Sequence, residues 1–191
     1  MARQTDRTRS TRQRLLEAAR QCIVESGWAG AHALTICQRA GVSRGALHHH
    51  FPDGRYGLAA LLVEQLLEQQ LAGMPQCDSP LATMKATLRQ LAEHPDDPAQ
   101  LILMELWMAS RSDTRLQETV LPVIHAGSQR MMASVTEHPA PDSQSGLDTL
   151  LSRLVLQGAS MQLFSRSYDR RLLQQALYRF LELLDADPGP H

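Results

Sequence analysis

Nowhere in these 191 residues do apolar and polar side chains alternate with the period of two that a half-buried strand requires. That absence speaks against a sheet and predicts an all-α fold. Aromatic residues are scarce, at 4%, although hydrophobic residues make up 43% and suffice for a packed core. Cysteine is limited to Cys22, Cys37 and Cys77, an odd number without a CxxC pair. Neither a disulfide framework nor a zinc ribbon is expected from such spacing. Long apolar runs are missing too. The most apolar run, LILMELWMA, is too short to cross a membrane and carries Glu105. The opening MARQTDRTRSTRQR lacks the apolar segment of a signal peptide, so a cytoplasmic protein is expected. Catalytic signatures are lacking as well: no Ser/His/Asp grouping, HExxH, phosphate-binding loop or paired ExxH motif is found. An all-α enzyme is therefore a remote reading, and no cofactor is expected.

Charge is present but unevenly placed. Residues 1–55 hold nine Arg against four Asp or Glu, a balance of +5, whereas the rest holds ten bases against sixteen acids, a balance of −6. A basic head on an acidic body is the asymmetry expected when one end alone meets a polyanion.

Helix signals account for the chain. Ser10 to Gln13 fits a capping box ahead of Leu15, Leu16, Ala19, Cys22 and Ile23, a run stopped by Gly27. Short helices follow over about Ala33–Ala40 and Arg44–His50, then a long one over about Arg55–Leu71. Ser79-Pro80 and Asp97-Pro98 each place a capping residue before a proline at the first helical position. Asp113 is expected to cap a helix reaching about His138, bent near Pro122; Ser145 to cap one reaching about Phe164; and Asp169 the last, to about Leu184. About nine helices result. The expected domains are a basic three-helix head over 1–52, a connecting helix over 53–73 and a body over 74–191.

Two short helices joined by Gly41-Val42-Ser43 form a helix-turn-helix signature. Ala40 and Ala46 are small enough for close helix approach. The second helix opens with Ser43 as a phosphate-compatible cap, Arg44 as a guanidinium for a guanine edge, and Gly45 and Ala46 to admit the duplex. Together with TRQRLLEAARQCIVESGW before it and FPDGRYGLAALL after it, this segment resembles the DNA-binding domain of TetR-family transcriptional regulators over about residues 10–63. The run from Ala40 to Phe51, AGVSRGALHHHF, is similar to the family pattern AGVSxGxLYxHF. The resemblance implies an all-helical homodimer that represses genes from a palindromic operator in double-stranded DNA and is released by a small, largely apolar ligand in its C-terminal domain. A DNA-binding activator or a ligand-independent regulator is the alternative.

His48, His49 and His50 point about 100° apart on a helix, so they cannot converge on one metal ion. By the resemblance, His48 stands where the family carries a phosphate-binding tyrosine, His49 is the next groove-facing position, and His50 packs near Phe51. Arg55 stands where many members carry a phosphate-binding lysine. His32 precedes the second helix, where members often have Ser or Thr. Arg3, Arg7, Arg9 and Arg12 are read as a flexible basic arm adding backbone or minor-groove contacts.

In the body, Met104, Trp107, Met108, Met131, Met161 and Phe164 supply adaptable apolar surface, with Glu105, His125 and Gln157 as polar partners at helical spacing. A ligand pocket among them is expected. The last two helices carry long apolar faces. By the resemblance, Leu151, Leu154, Gly158, Leu173, Leu177 and Phe180 are assigned to a four-helix dimer interface.

Overall fold

A computed structural model describes residues 2–95, 97–133, 135–162 and 169–186, with side chains from residue 9 onward. Among these residues the chain forms nine α-helices: α1 Ala2–Gly30, α2 Ala33–Ala40, α3 Arg44–His50, α4 Arg55–Gly73, α5 Pro80–Glu93, α6 Pro98–Ala109, α7 Thr114–Met131, α8 Gln144–Gln162 and α9 Arg170–Ala186. They divide into two compact units. Unit 1 comprises residues 1–69 and 102–127, unit 2 residues 70–101 and 128–191.

Helix α1 departs from expectation at its start. Ser10 caps nothing, because the helix already runs through it from Ala2, so Arg9 and Arg12 lie on a helix and not on a flexible arm. No Gly or Pro interrupts residues 2–26, and Arg and Gln are good helix formers, so propagation toward the N-terminus meets no block. Gly27 does break the helix, at φ 64° and ψ −178°.

The other caps follow simple chemistry. Ser79 Oγ accepts from the Ala82 N–H at 3.2 Å, Asp97 Oδ1 from Ala99 at 2.9 Å, Asp113 Oδ1 from Leu116 at 3.0 Å, and Asp169 Oδ1 from Arg171 at 2.9 Å. Pro122 lies inside α7 without ending it. Instead α7 ends at Met131, short of the expected His138. The N–H groups of Thr136 and Glu137 both donate to the Asp78 carbonyl, at 2.9 and 3.0 Å, which draws the chain out of the helix. Helix α8 is capped by Ser143, whose Oγ accepts from the Gly146 N–H at 3.2 Å, and not by Ser145.

In unit 1 the buried core gathers Leu15, Ala19 and Ile23 of α1, Ile36 and Cys37 of α2, Leu47 of α3, and Leu58 and Leu62 of α4. Helices α1, α2 and α3 pack on one another. Burial pushes the thiols of Cys22 and Cys37 up, so neither is a thiolate near neutral pH.

In unit 2, α5 packs against both α8 and α9. Leu88, Leu91 and Ala92 of α5 meet Ala159 of α8 and Leu173, Leu177 and Leu181 of α9, with Val155, Leu156 and Phe180 at the margin. This corrects the interface assignment for two residues. Leu173 and Leu177 are 5% and 2% exposed within a single chain, so they retain no surface for a second copy. Their spacing matches the face that α9 turns to α5.

Candidate nucleic-acid interface

The turn between α2 and α3 is built by two residues. Gly41 adopts the left-handed conformation (φ 63°, ψ 41°), and its N–H donates to the carbonyls of Cys37 and Gln38. Ser43 then caps α3, its Oγ accepting from the Ala46 N–H at 3.1 Å. Leu47 and Phe51 are buried and anchor α3 from below. The 3.6-residue period then turns Arg44, Gly45, His48 and His49 outward, and all four are exposed, while Ala46 and His50 are half-buried. The His49 and His50 rings meet edge to face, with centroids 5.2 Å apart. Arg9 and Arg12 are exposed on α1, and the Arg12 guanidinium lies 5.5 Å from the Phe51 ring centroid, close to the end of α3. The side chains of Arg3 and Arg7 lie outside the described residues.

His32 occupies the cap position of α2, but its side chain makes no capping hydrogen bond. The first-turn N–H groups of α2 therefore have no side-chain acceptor there, the arrangement that favours an anion at a helix N-terminus.

Arg55 has partners that sequence reasoning did not anticipate. Its guanidinium sits 4.1 Å from the Trp28 ring centroid and 5.2 Å from that of Tyr56. It donates to the carbonyls of Trp28 and Ala31, at 3.3 and 3.4 Å, and lies 3.7 Å from Asp113 Oδ2. Only 20% of the side chain is exposed. Phosphate contact was the expected role; in this chain the guanidinium is engaged by these internal partners, which give it a structural role.

The same cluster joins the end of α1 to the α6–α7 corner within unit 1. Trp28 Nε1 donates to Asp113 Oδ2 at 3.0 Å, and the Trp28 N–H donates to Glu105 Oε1 at 2.7 Å. Glu105 is thereby committed to the backbone and withdrawn from the expected ligand partners. Arg115 stacks 4.7 Å from the Tyr56 centroid and pairs with Asp53 at 3.6 Å. Burial pushes the Asp113 carboxyl up, but hydrogen bonds from Trp28 and the Leu116 N–H, with the Arg55 charge and the Tyr56 hydroxyl, hold it below its ordinary range. The sequence signalled Asp113 as a cap. Nothing local signalled Trp28, 85 residues away.

The expected pocket residues do not gather into one lining set. Trp107, Met108 and His125 are exposed in unit 1 and Met104 is half-buried there; Gln157 and Met161 are exposed in unit 2. Phe164 lies outside the described residues. Met131 does line cavities, of about 410 and 220 Å³. Among the described residues no three His, Cys, Asp or Glu are arranged to hold a metal ion, and no helix is long and apolar enough to cross a membrane.

Comparison with known proteins bears on the helix-turn-helix. The model for bacterial regulatory proteins of the tetR family matches residues 15–60. An uncharacterised HTH-type transcriptional regulator of Mycobacterium tuberculosis (strain H37Rv) is 35% identical over 150 residues, 75% of each chain. The transcriptional repressor AcnR of Corynebacterium glutamicum is 44% identical over 48 residues, 25% of this chain and 26% of its own. A structure of the multidrug binding protein EbrR with imidazole, 21% identical, shares the fold with a TM-score of 0.57 over 94% of this chain and 96% of that one. A helix-turn-helix presented this way, a family model that spans it and a relative alike over three quarters of both chains lead to one conclusion: this chain belongs to the TetR family of DNA-binding transcriptional regulators.

Proposed function

We propose that this regulator is a homodimeric repressor that binds a palindromic operator and is released by a small apolar effector. The supporting observation is an apolar face on α8 that one chain leaves uncovered. Leu147, Leu151, Leu154 and Met161 are each 45–55% exposed, and an added Cβ on Gly158 would meet nothing within 4 Å. Leu172, Tyr178 and Leu183 add exposed apolar surface on α9. Faces of this kind on a protein of this family fit a second copy of the chain.

One helix-turn-helix covers one half-site. A two-fold dimer places two copies of α3 about 34–36 Å apart, or at a longer interval, and so selects inverted half-sites. In this reading Arg44 contacts a base, and Ser43, Gly45 and Ala46 let α3 approach the groove. His48, His49, Arg9 and Arg12 meet the backbone, and the uncapped start of α2 seats a phosphate. Occupation of the operator blocks transcription, as the name of the relative AcnR describes for that protein. EbrR, which shares the fold, is a multidrug binding protein, and this precedent motivates the effector. Selection of bound sequences from a random DNA pool tests the reading. Inverted repeats bound by two chains are expected; single half-sites bound by one chain would overturn it.

A further inference from the structure

We propose that unit 2 carries a binding site for an amphiphilic organic anion, an apolar body bearing one carboxylate, in the cavity of about 410 Å³ between α5, the end of α7 and the start of α8. The volume falls in the range of about 300–1,000 Å³ that small-molecule sites occupy. The site deepens the effector-released reading above and rests on it for its biological role.

The wall dictates the chemistry. Met84, Met131 and Met132 contribute three flexible thioethers, and Pro141 and Leu150 add rigid apolar surface. Ser128 and Thr149 add two hydroxyls, the latter already donating to the Ser145 carbonyl, so the wall is mainly apolar and suits varied apolar shapes. Arg153, exposed on α8, is the one charged side chain among the described residues of this wall, and its guanidinium makes no hydrogen bond or ion pair with any of them. A lone guanidinium at the edge of an apolar cavity complements a carboxylate through two parallel N–H donors. A cationic ligand would be repelled there, and a neutral one would leave the charge unused.

The cavity is also pre-shaped. Residues 136 and 137 are tied to the Asp78 carbonyl, and the chain then lies directly on the first turn of α8. A Cβ on Gly146 would stand 2.2 Å from the Ala140 carbonyl oxygen and 2.8 Å from that of Pro141. Glycine at 146 therefore permits the close approach that sets Pro141 on the cavity wall. A wall already in place spares the ligand the ordering cost of closing it.

Calorimetric titration of the full-length protein without DNA tests the site. Decanoate and 4-phenylbutanoate are the probes, with decan-1-ol and decyltrimethylammonium as neutral and cationic controls. At least one acid is expected to bind saturably, one per chain, about tenfold or more tighter than either control. The preferred acid distinguishes an acyl from an aryl ligand. Arg153→Gln should erase that advantage and leave decan-1-ol binding unchanged. Gly146→Val should weaken acid and alcohol together, and Met84→Gln serves the same purpose if that variant fails to fold. The site is overturned if neither acid binds saturably, if the controls bind equally well, or if Arg153→Gln binds acid like the parent. Operator release is scored separately. Acid binding without release keeps the site and rejects its effector role, whereas release by another compound with no acid bound rejects the site and keeps the effector-released regulator.

Discussion

At the scale of single residues, two arginines of unit 1 divide into different roles. Arg44 is exposed at the start of α3, whereas Arg55 is stacked on Trp28 and bonded to backbone carbonyls. Arg44→Ala should cost about 1–3 kcal/mol on the operator and little on random DNA, measured by titration of both duplexes. Equal losses on the two would reduce Arg44 to a phosphate contact. Arg55→Ala should instead lower stability by about 1–3 kcal/mol in chemical denaturation, through the lost cation–π contact and hydrogen bonds. Its salt dependence of DNA binding should stay unchanged. Asp113 adds a pH dependence whose sign follows from its depressed folded-state pKa. The stability it contributes is present above the ordinary carboxylate value of about 3.9 and is lost as pH falls through the lower folded value. Thermal melts between pH 2.5 and 6 should show this acid loss in the parent and a flatter profile in Asp113→Asn.

At the scale of elements, the α2–α3 turn is held by local geometry. Gly41→Ala meets no neighbour closer than 4.0 Å, so its cost is conformational, about 1 kcal/mol, with the orientation of α3 retained. A much larger loss would reveal a packing role for Gly41. Helix α8 offers the opposite case. Ser152 Oγ is buried without a hydrogen-bond partner among the described residues, so Ser152→Ala should leave stability equal or raise it by up to about 1 kcal/mol. A destabilised variant would mean that the hydroxyl is satisfied by bound water.

For the whole molecule, the apolar faces of α8 and α9 have different destinations. Leu173, Leu177 and Leu181 of α9 complete the core of unit 2, whereas Leu154 on α8 is 54% exposed in one chain. Leu177→Glu should therefore unfold unit 2 rather than separate two copies. Leu154→Glu should keep its helicity and sediment as a monomer, since an unpartnered charge buried at the proposed α8 interface costs roughly 3–5 kcal/mol. It should also lose operator affinity although residues 1–55 are unaltered. A folded Leu154→Glu dimer would move the interface away from α8.

What the sequence by itself determined lies within a few residues of chain. The α2–α3 motif depends on a glycine able to take positive φ, a serine able to cap, and a buried Leu47 one turn below the exposed surface; each acts across four residues or fewer. The same holds for the caps at Ser79, Asp97, Asp113 and Asp169. Tertiary structure decided the partners. A helical period shows that Leu177 and Leu154 are on apolar faces, but burial of one against α5 and exposure of the other depend on packing. Arg55 could meet a phosphate or Trp28 with the same charge and reach. Its choice follows from a fold that brings Trp28 to Asp113 across 85 residues, a separation over which no local pattern carries information.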